Sequence, residues 1–161
     1  MRFRAVALLM VLLVLGVARG AAQSPWDEYE RHTLREIVHA QEAAMPPGSN
    51  ISLLGEPVAS RVTATYTGML RPLAGEHRDL LEQWVRAFDK APALLELFAT
   101  EMLVREGTTE YWLPVQTTLV PSLRQELKPG DTVELLASCV GGDLHDGAWD
   151  WVLIVDEFAA R

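Results

Sequence analysis

Residues 132–155 read TVELLASCVGGDLHDGAWDWVLIV, and the period of that stretch decides the fold class. From Thr132 to Val140 apolar and polar residues alternate, pointing Val133, Leu135, Ala137 and Cys139 one way and Thr132, Glu134 and Ser138 the other. Alternation of that kind marks a strand with one face on a core. From Trp149 to Val155 the chain is apolar on both faces, which predicts a central strand covered on each side, and Phe158 ends the core. Between the two, Gly141 to Gly147 reads as a connecting loop.

Working upstream, Lys128-Pro129-Gly130-Asp131 is a tight turn, and Thr117 to Leu127 is a short helix with Pro121 tolerated in its first turns. Leu97 to Glu106 and Glu110 to Gln116 form a hairpin across Gly107-Thr108-Thr109. Pro114 lacks an amide proton and predicts an edge or a bulge in the second of these strands. Glu76 to Asp89 has helical spacing through Leu80, Leu81, Trp84, Val85 and Phe88, with Pro92 closing it. Val58 to Leu70 returns to period two, with Val58, Val62, Ala64, Tyr66 and Leu70 on the core face and Arg61, Thr63, Thr65 and Thr67 on the wet face.

The order is therefore strand, helix, two strands, helix, two strands. This is an α+β chain, mainly β. Five strands with a helix between the third and fourth is the order of an OB-like five-stranded barrel, with the helix at 76–89 inserted in the first connection. An SH3-like barrel, or an open sheet backed by helices, fits the same order. Ahead of it, Trp26, Tyr29, Leu34, Ile37, Val38 and Met45 recur at helical spacing after a Ser24-Pro25 cap, which predicts an N-terminal amphipathic helix over 23–45. A linker over 46–57, opening on Pro46-Pro47-Gly48, joins that helix to the barrel-like region at 58–161.

Residues 1–22 have the order of a cleaved signal peptide. Arg2 and Arg4 precede an apolar run from Ala5 to Ala18, and Gly20, Ala21 and Ala22 supply small residues for cleavage after Ala22 or after Gly20. Fourteen apolar residues are fewer than the roughly 20 a spanning helix needs, and no cysteine lies nearby for lipid attachment. The expectation is an exported protein, periplasmic in a Gram-negative bacterium and secreted otherwise, with no stable membrane anchor after cleavage.

Cleavage would leave 11 basic against 22 acidic side chains, a formal charge of −11. Such a surface repels phosphate backbones, so no nucleic acid is expected as a partner. Cys139 is the sole cysteine, which leaves stability to packing. No metal or other cofactor is expected: Asp143 and Asp146 offer calcium too few oxygens, and His145 lacks the nitrogen and sulfur companions that zinc or copper requires.

The candidate ligand contacts are Tyr111 and Trp112, a neighbouring aromatic pair in the hairpin, and Asp143, His145 and Asp146 in the glycine-rich segment. Trp84, Trp149 and Trp151 fall on apolar rows and read as core. His32 and His39, beside Glu28, Glu36 and Glu42, read as a solvated helix face. Cys139, His145 and Asp143 are the residue types of a thiol nucleophile, its base and an orienting acid, but Cys139 lies on an apolar strand face. Three functions follow. The first is an exported binding or interaction module for a protein, peptide or glycan, with no catalytic residues. The others are a small exported hydrolase using residues 139–146 and a structural accessory of an envelope complex.

Overall fold

The computed structural model describes residues 26–161; the expected signal segment, the expected cleavage site and the expected Ser24-Pro25 cap lie outside the described residues. Along the chain run α1 (Leu34–Ala44), β1 (Ile51–Leu53), β2 (Ala59–Pro72), α2 (Gly75–Ala87), α3 (Ala93–Leu97), β3 (Thr100–Glu106), β4 (Thr109–Val115), α4 (Val120–Glu126), β5 (Thr132–His145) and β6 (Ala148–Ala160). This is an α+β protein, mainly strands. The six strands form one sheet in the order β1-β5-β2-β3-β4-β6, and β6 pairs again with β5, so the sheet curls into a ring.

Two long strands make the ring possible. Residues 59–65 of β2 pair with β5, and from Thr65 onward the same strand pairs with β3, with a register shift between Tyr66 and Leu70. β5 is shared in the same way: on one edge it takes β2 and then β1, and on the other it runs antiparallel to β6 from Val133↔Ala160 to His145↔Ala148. The neighbouring strands β4 and β6 are parallel and paired at Val115↔Val155.

Inward-facing residues of the ring, including Val62, Tyr66, Met102, Leu113, Leu135 and Leu153, make one apolar core. A second core lies outside the sheet, where Leu80, Leu81, Trp84 and Val85 of α2 pack on Val140, Val152 and Ile154. β6 is therefore covered on both faces, as its two-sided apolar sequence implies.

Several expectations need correction. Residues 141–145 are not loop but the continuation of β5, and only Asp146-Gly147 turns the chain. Both turn residues have positive φ, 49° and 84°, the geometry of the tight two-residue hairpin that Asp-Gly favours. Gly141 and Gly142 are small because neighbours approach closely: a Cβ at Gly141 would lie 2.3 Å from the Ser52 carbonyl oxygen, and one at Gly142 would lie 2.6 Å from the Trp151 ring. The 46–57 segment carries β1. Leu97 ends α3 instead of opening a strand, and Pro92 caps α3 five residues after α2 has ended. Val58 is 81% exposed and lies outside the core.

The N-terminal helix begins later than its apolar stripe implies. Thr33 and Glu36 cap it reciprocally, a Thr-x-x-Glu box that stops the helix from extending back to Tyr29. The Glu106 carboxylate accepts from the free amides of Leu34 (2.8 Å) and Arg35 (3.1 Å), and Leu34 and Ile37 enter the barrel core. This helix therefore docks on its own barrel. Residues ahead of it lie along β2, where Arg61 N donates to Glu30 O at 2.9 Å and His32 N to Arg61 O at 3.1 Å. That arm buries Arg61, which sits on the strand face expected to be wet.

Candidate functional site

On the N-terminal side of Val115↔Val155, β4 and β6 are no longer paired with each other, and a cavity of about 300 Å³ lies between them. Tyr111 and Trp112 of β4 form one wall, and Trp149, Asp150 and Trp151 of β6 form the other. Because side chains alternate along each strand, Tyr111, Trp149 and Trp151 come from the inner face of the sheet, and Trp112 and Asp150 come from the outer face. The gap thus joins the barrel interior to the surface. Trp149 and Trp151 stack with centroids 5.1 Å apart and planes at 23°.

A charged cluster borders the outer half of the gap. Its centre is Glu101 on β3, a fully buried carboxylate. Arg71 Nε donates to Glu101 Oε2 at 2.6 Å, and Nδ1 of His77, from the first turn of α2, bonds to Glu101 Oε1. His77 Nε2 faces Asp150 Oδ1 at 3.2 Å. Burial, the largest single influence, pulls the imidazole down, but the hydrogen bonds and charges of Asp150 and Glu101 together outweigh it and raise His77 to about 9. The same pairing holds Asp150 below the usual carboxylate range. His77 is an imidazolium at neutral pH with both nitrogens engaged, so it positions carboxylates and is not free to act as a base.

Arg71 is less completely used. Its guanidinium carbon lies 4.0 Å from the centroid of the Trp112 ring, a cation–π contact that holds both side chains at the rim. Among the described residues its two η nitrogens carry no hydrogen bond. A second unused donor lies deeper: Trp151 Nε1 is buried and has no hydrogen-bond partner among the described residues. Trp151 cannot relax back against β5 freely, because its ring rests where a Cβ at Gly142 would be.

Of the five residues proposed from sequence, Tyr111 and Trp112 line this gap. Asp143 and His145 do not line the gap but stand beside its β6 wall at the C-terminal end of β5: Asp143 is the cross-strand partner of Asp150 and pairs with His145 at 2.8 Å, with Glu76 of α2 3.7 Å from the other ring nitrogen. The Asp143 hydrogen bond is the main cause of a raised His145 pKa. Asp146 is exposed in the hairpin turn. Cys139 faces the barrel core; burial pushes its thiol up to about 12, and its Sγ lies 3.9 Å from the Gly141 carbonyl oxygen. A thiolate nucleophile does not form there at neutral pH.

Sequence reasoning missed Arg71, His77 and Glu101, which come from the ends of three different elements and share no spacing. One signal was available. Glu101 stands in the apolar run Met102-Leu103-Val104 on the side of Leu103, and a carboxylate in such a strand requires a cation nearby. A larger cavity, about 420 Å³, lies between α1 and residues 53–58, but no Trp, Tyr or Phe lines it. No family model, curated protein or solved structure matches this chain.

Proposed function

We propose that this protein is an exported ligand-binding module, built on an OB-like barrel, that receives a small ring-bearing ligand in the gap between β4 and β6. The observation that carries the reading is the gap itself, an aromatic-lined opening between two strands with the unused η nitrogens of Arg71 at its rim. Ligand sites combine apolar and aromatic walls with a few convergent polar groups. The OB-like assignment is supported by the ring order β2-β3-β4-β6-β5, by the parallel β4–β6 neighbours, and by α4 between the third and fourth barrel strands.

Export, with cleavage after Ala22 or Gly20, is supported by the order of residues 1–22. The acidic excess left after cleavage supports a partner other than nucleic acid. A binding role is favoured over hydrolysis because the thiol is held protonated and both His77 nitrogens are occupied.

The test is an NMR screen of the purified protein against sugars, peptides and small aromatic compounds, read at the tryptophan indole signals. Hits that move the Trp112, Trp149 and Trp151 signals together are expected, with loss of those hits in Trp112→Ala. A set of hits confined to residues elsewhere, such as the cavity beside α1, overturns the reading. For export, the expected result is a processed protein beginning at Gln23 or Ala21 in the periplasm or medium of a bacterial host. An unprocessed cytoplasmic product overturns it.

A further inference from the structure

The charges and donors at the gap specify what kind of ring fits it. Glu101 balances Arg71, and His77 is held between Glu101 and Asp150, so the two cations and two buried or half-buried carboxylates cancel. Exposed Glu110 then leaves the rim with one unbalanced negative charge. A carboxylate or phosphate ligand would meet like charge there, within a chain that is itself acidic. A cationic ligand would have to displace the Arg71 guanidinium from the Trp112 face it already covers.

The hydrogen-bonding capacity that remains is mixed. Arg71 offers its η donors. Asp150 and Glu110 offer carboxylate oxygens, each of which accepts more bonds than the described residues supply. Donors and acceptors interleaved beside aromatic faces match a ring with apolar C–H faces and hydroxyls on its edge. The volume of about 300 Å³ lies at the small end of the roughly 300–1,000 Å³ of ligand pockets, which admits one ring.

Building on the ligand-binding reading above, we infer that the occupant is a single uncharged pyranose ring, whose hydroxyls pair with Arg71 and Asp150. Arg71 is the informative group, because its η nitrogens make no hydrogen bond among the described residues that the fold would lose.

The experiment titrates the purified protein with the methyl glycosides of glucose, galactose, mannose and N-acetylglucosamine, with glucuronate as an anionic probe and choline as a cationic one. Binding is read at the tryptophan indole signals. The expected result is that at least one neutral glycoside moves the Trp112 and Trp151 signals with a dissociation constant about tenfold or more below those of glucuronate and choline. Arg71→Met, checked to be folded by its melting curve, weakens that glycoside about three- to tenfold. Glucuronate or choline occupying the gap as tightly as every neutral glycoside overturns the inference and leaves the ligand-binding reading standing. An Arg71→Met protein that binds like the parent overturns the assigned donor. If neither these probes nor the wider screen moves the indole signals, the inference and the reading beneath it both fall.

Discussion

Arg61 and Arg71 lie on one strand, β2, and each leans on a buried glutamate of a neighbouring strand, yet the two clusters are built to different ends. Arg61 is engaged at all three nitrogens: Nε and Nη2 bond Glu134 at 2.9 and 2.8 Å, and Nη1 bonds Asp27 at 2.8 Å. Arg161 also pairs with Glu134, and the 26–32 arm lies along β2 at Arg61. Its side chain is 5% exposed. Arg71 spends only Nε on Glu101, keeps 45% of its side chain exposed, and lies over a tryptophan at the mouth of a cavity. A guanidinium engaged at every nitrogen ties the N-terminal arm to the sheet. One with both η nitrogens to spare, fixed by its inner nitrogen, is oriented as the proposed ligand site would need it.

The strongest challenge to this contrast removes the acid that orients the open cluster. Glu101→Ala leaves the His77 and Arg71 cations facing a buried void, and breaking a buried pair by deleting one partner costs about 3–5 kcal/mol. Urea unfolding should show a loss of that order. A loss below about 1 kcal/mol would mean that Glu101 is dispensable and that Arg71 is not held by it.

Next in size is the pH dependence of the same cluster. His77 has a folded pKa of about 9 against an ordinary 6.5, so its stabilising contribution is complete below 6.5 and is lost as pH rises through 9. Asp150, held below 3.8, contributes above that value and loses its contribution only as pH falls through the lowered pKa. The stability difference between the parent and His77→Gln should therefore be flat from about pH 4 to 6.5 and shrink by roughly 2–3 kcal/mol toward pH 9. A difference that grows with alkaline pH has the wrong sign and would remove the imidazolium from the cluster.

The comparison itself is tested by treating the two arginines alike. Arg61→Met should lower the melting temperature by several degrees, because Glu134 loses its bidentate partner and the arm loses the Asp27 contact. Arg71→Met should lower it less, since Glu101 keeps His77 and the lost guanidinium is half exposed. Equal losses would erase the distinction between a tie and an open donor.

The sequence carried the strands and their order far better than it carried either cluster. Period-two runs at 58–70 and 132–140 and the two-sided apolar run at 149–155 each correspond to part of an observed strand, because burial on a pleated sheet imposes those patterns directly. The glycines misled. Gly141-Gly142 has the composition of a loop but serves close packing against β1 and Trp151, and only the neighbours reveal that. The clusters were hidden for a related reason. Arg61 and Glu134 sit at polar positions of alternating strands and read as wet until the N-terminal arm is laid over them; Arg71 and Glu101 meet only once the register of β2 on β3 makes them cross-strand partners, and His77 joins them from the helix that connects those strands. At the candidate site, Tyr111 and Trp112 were legible as a neighbouring aromatic pair in the hairpin, whereas the place of Trp151 in the gap wall was masked by its membership of an apolar row.

Trp112 gives the smallest effect on stability and the clearest separation of folding from binding. Its ring meets the Arg71 guanidinium at 4.0 Å on the outer face of the sheet, away from the barrel core, and such half-exposed contacts contribute about 0.5–1 kcal/mol. Trp112→Ala should therefore unfold within about 1 kcal/mol of the parent. Arg71 would remain tethered through Nε but lose the surface that fixes its η nitrogens, so ligand affinity at the gap should fall well beyond what the stability change implies. Trp112→Phe, which keeps an aromatic face under the cation, should recover most of that affinity. If alanine and phenylalanine behave alike in binding, the ring beneath Arg71 is packing alone, and the orientation of the open donor must come entirely from Glu101.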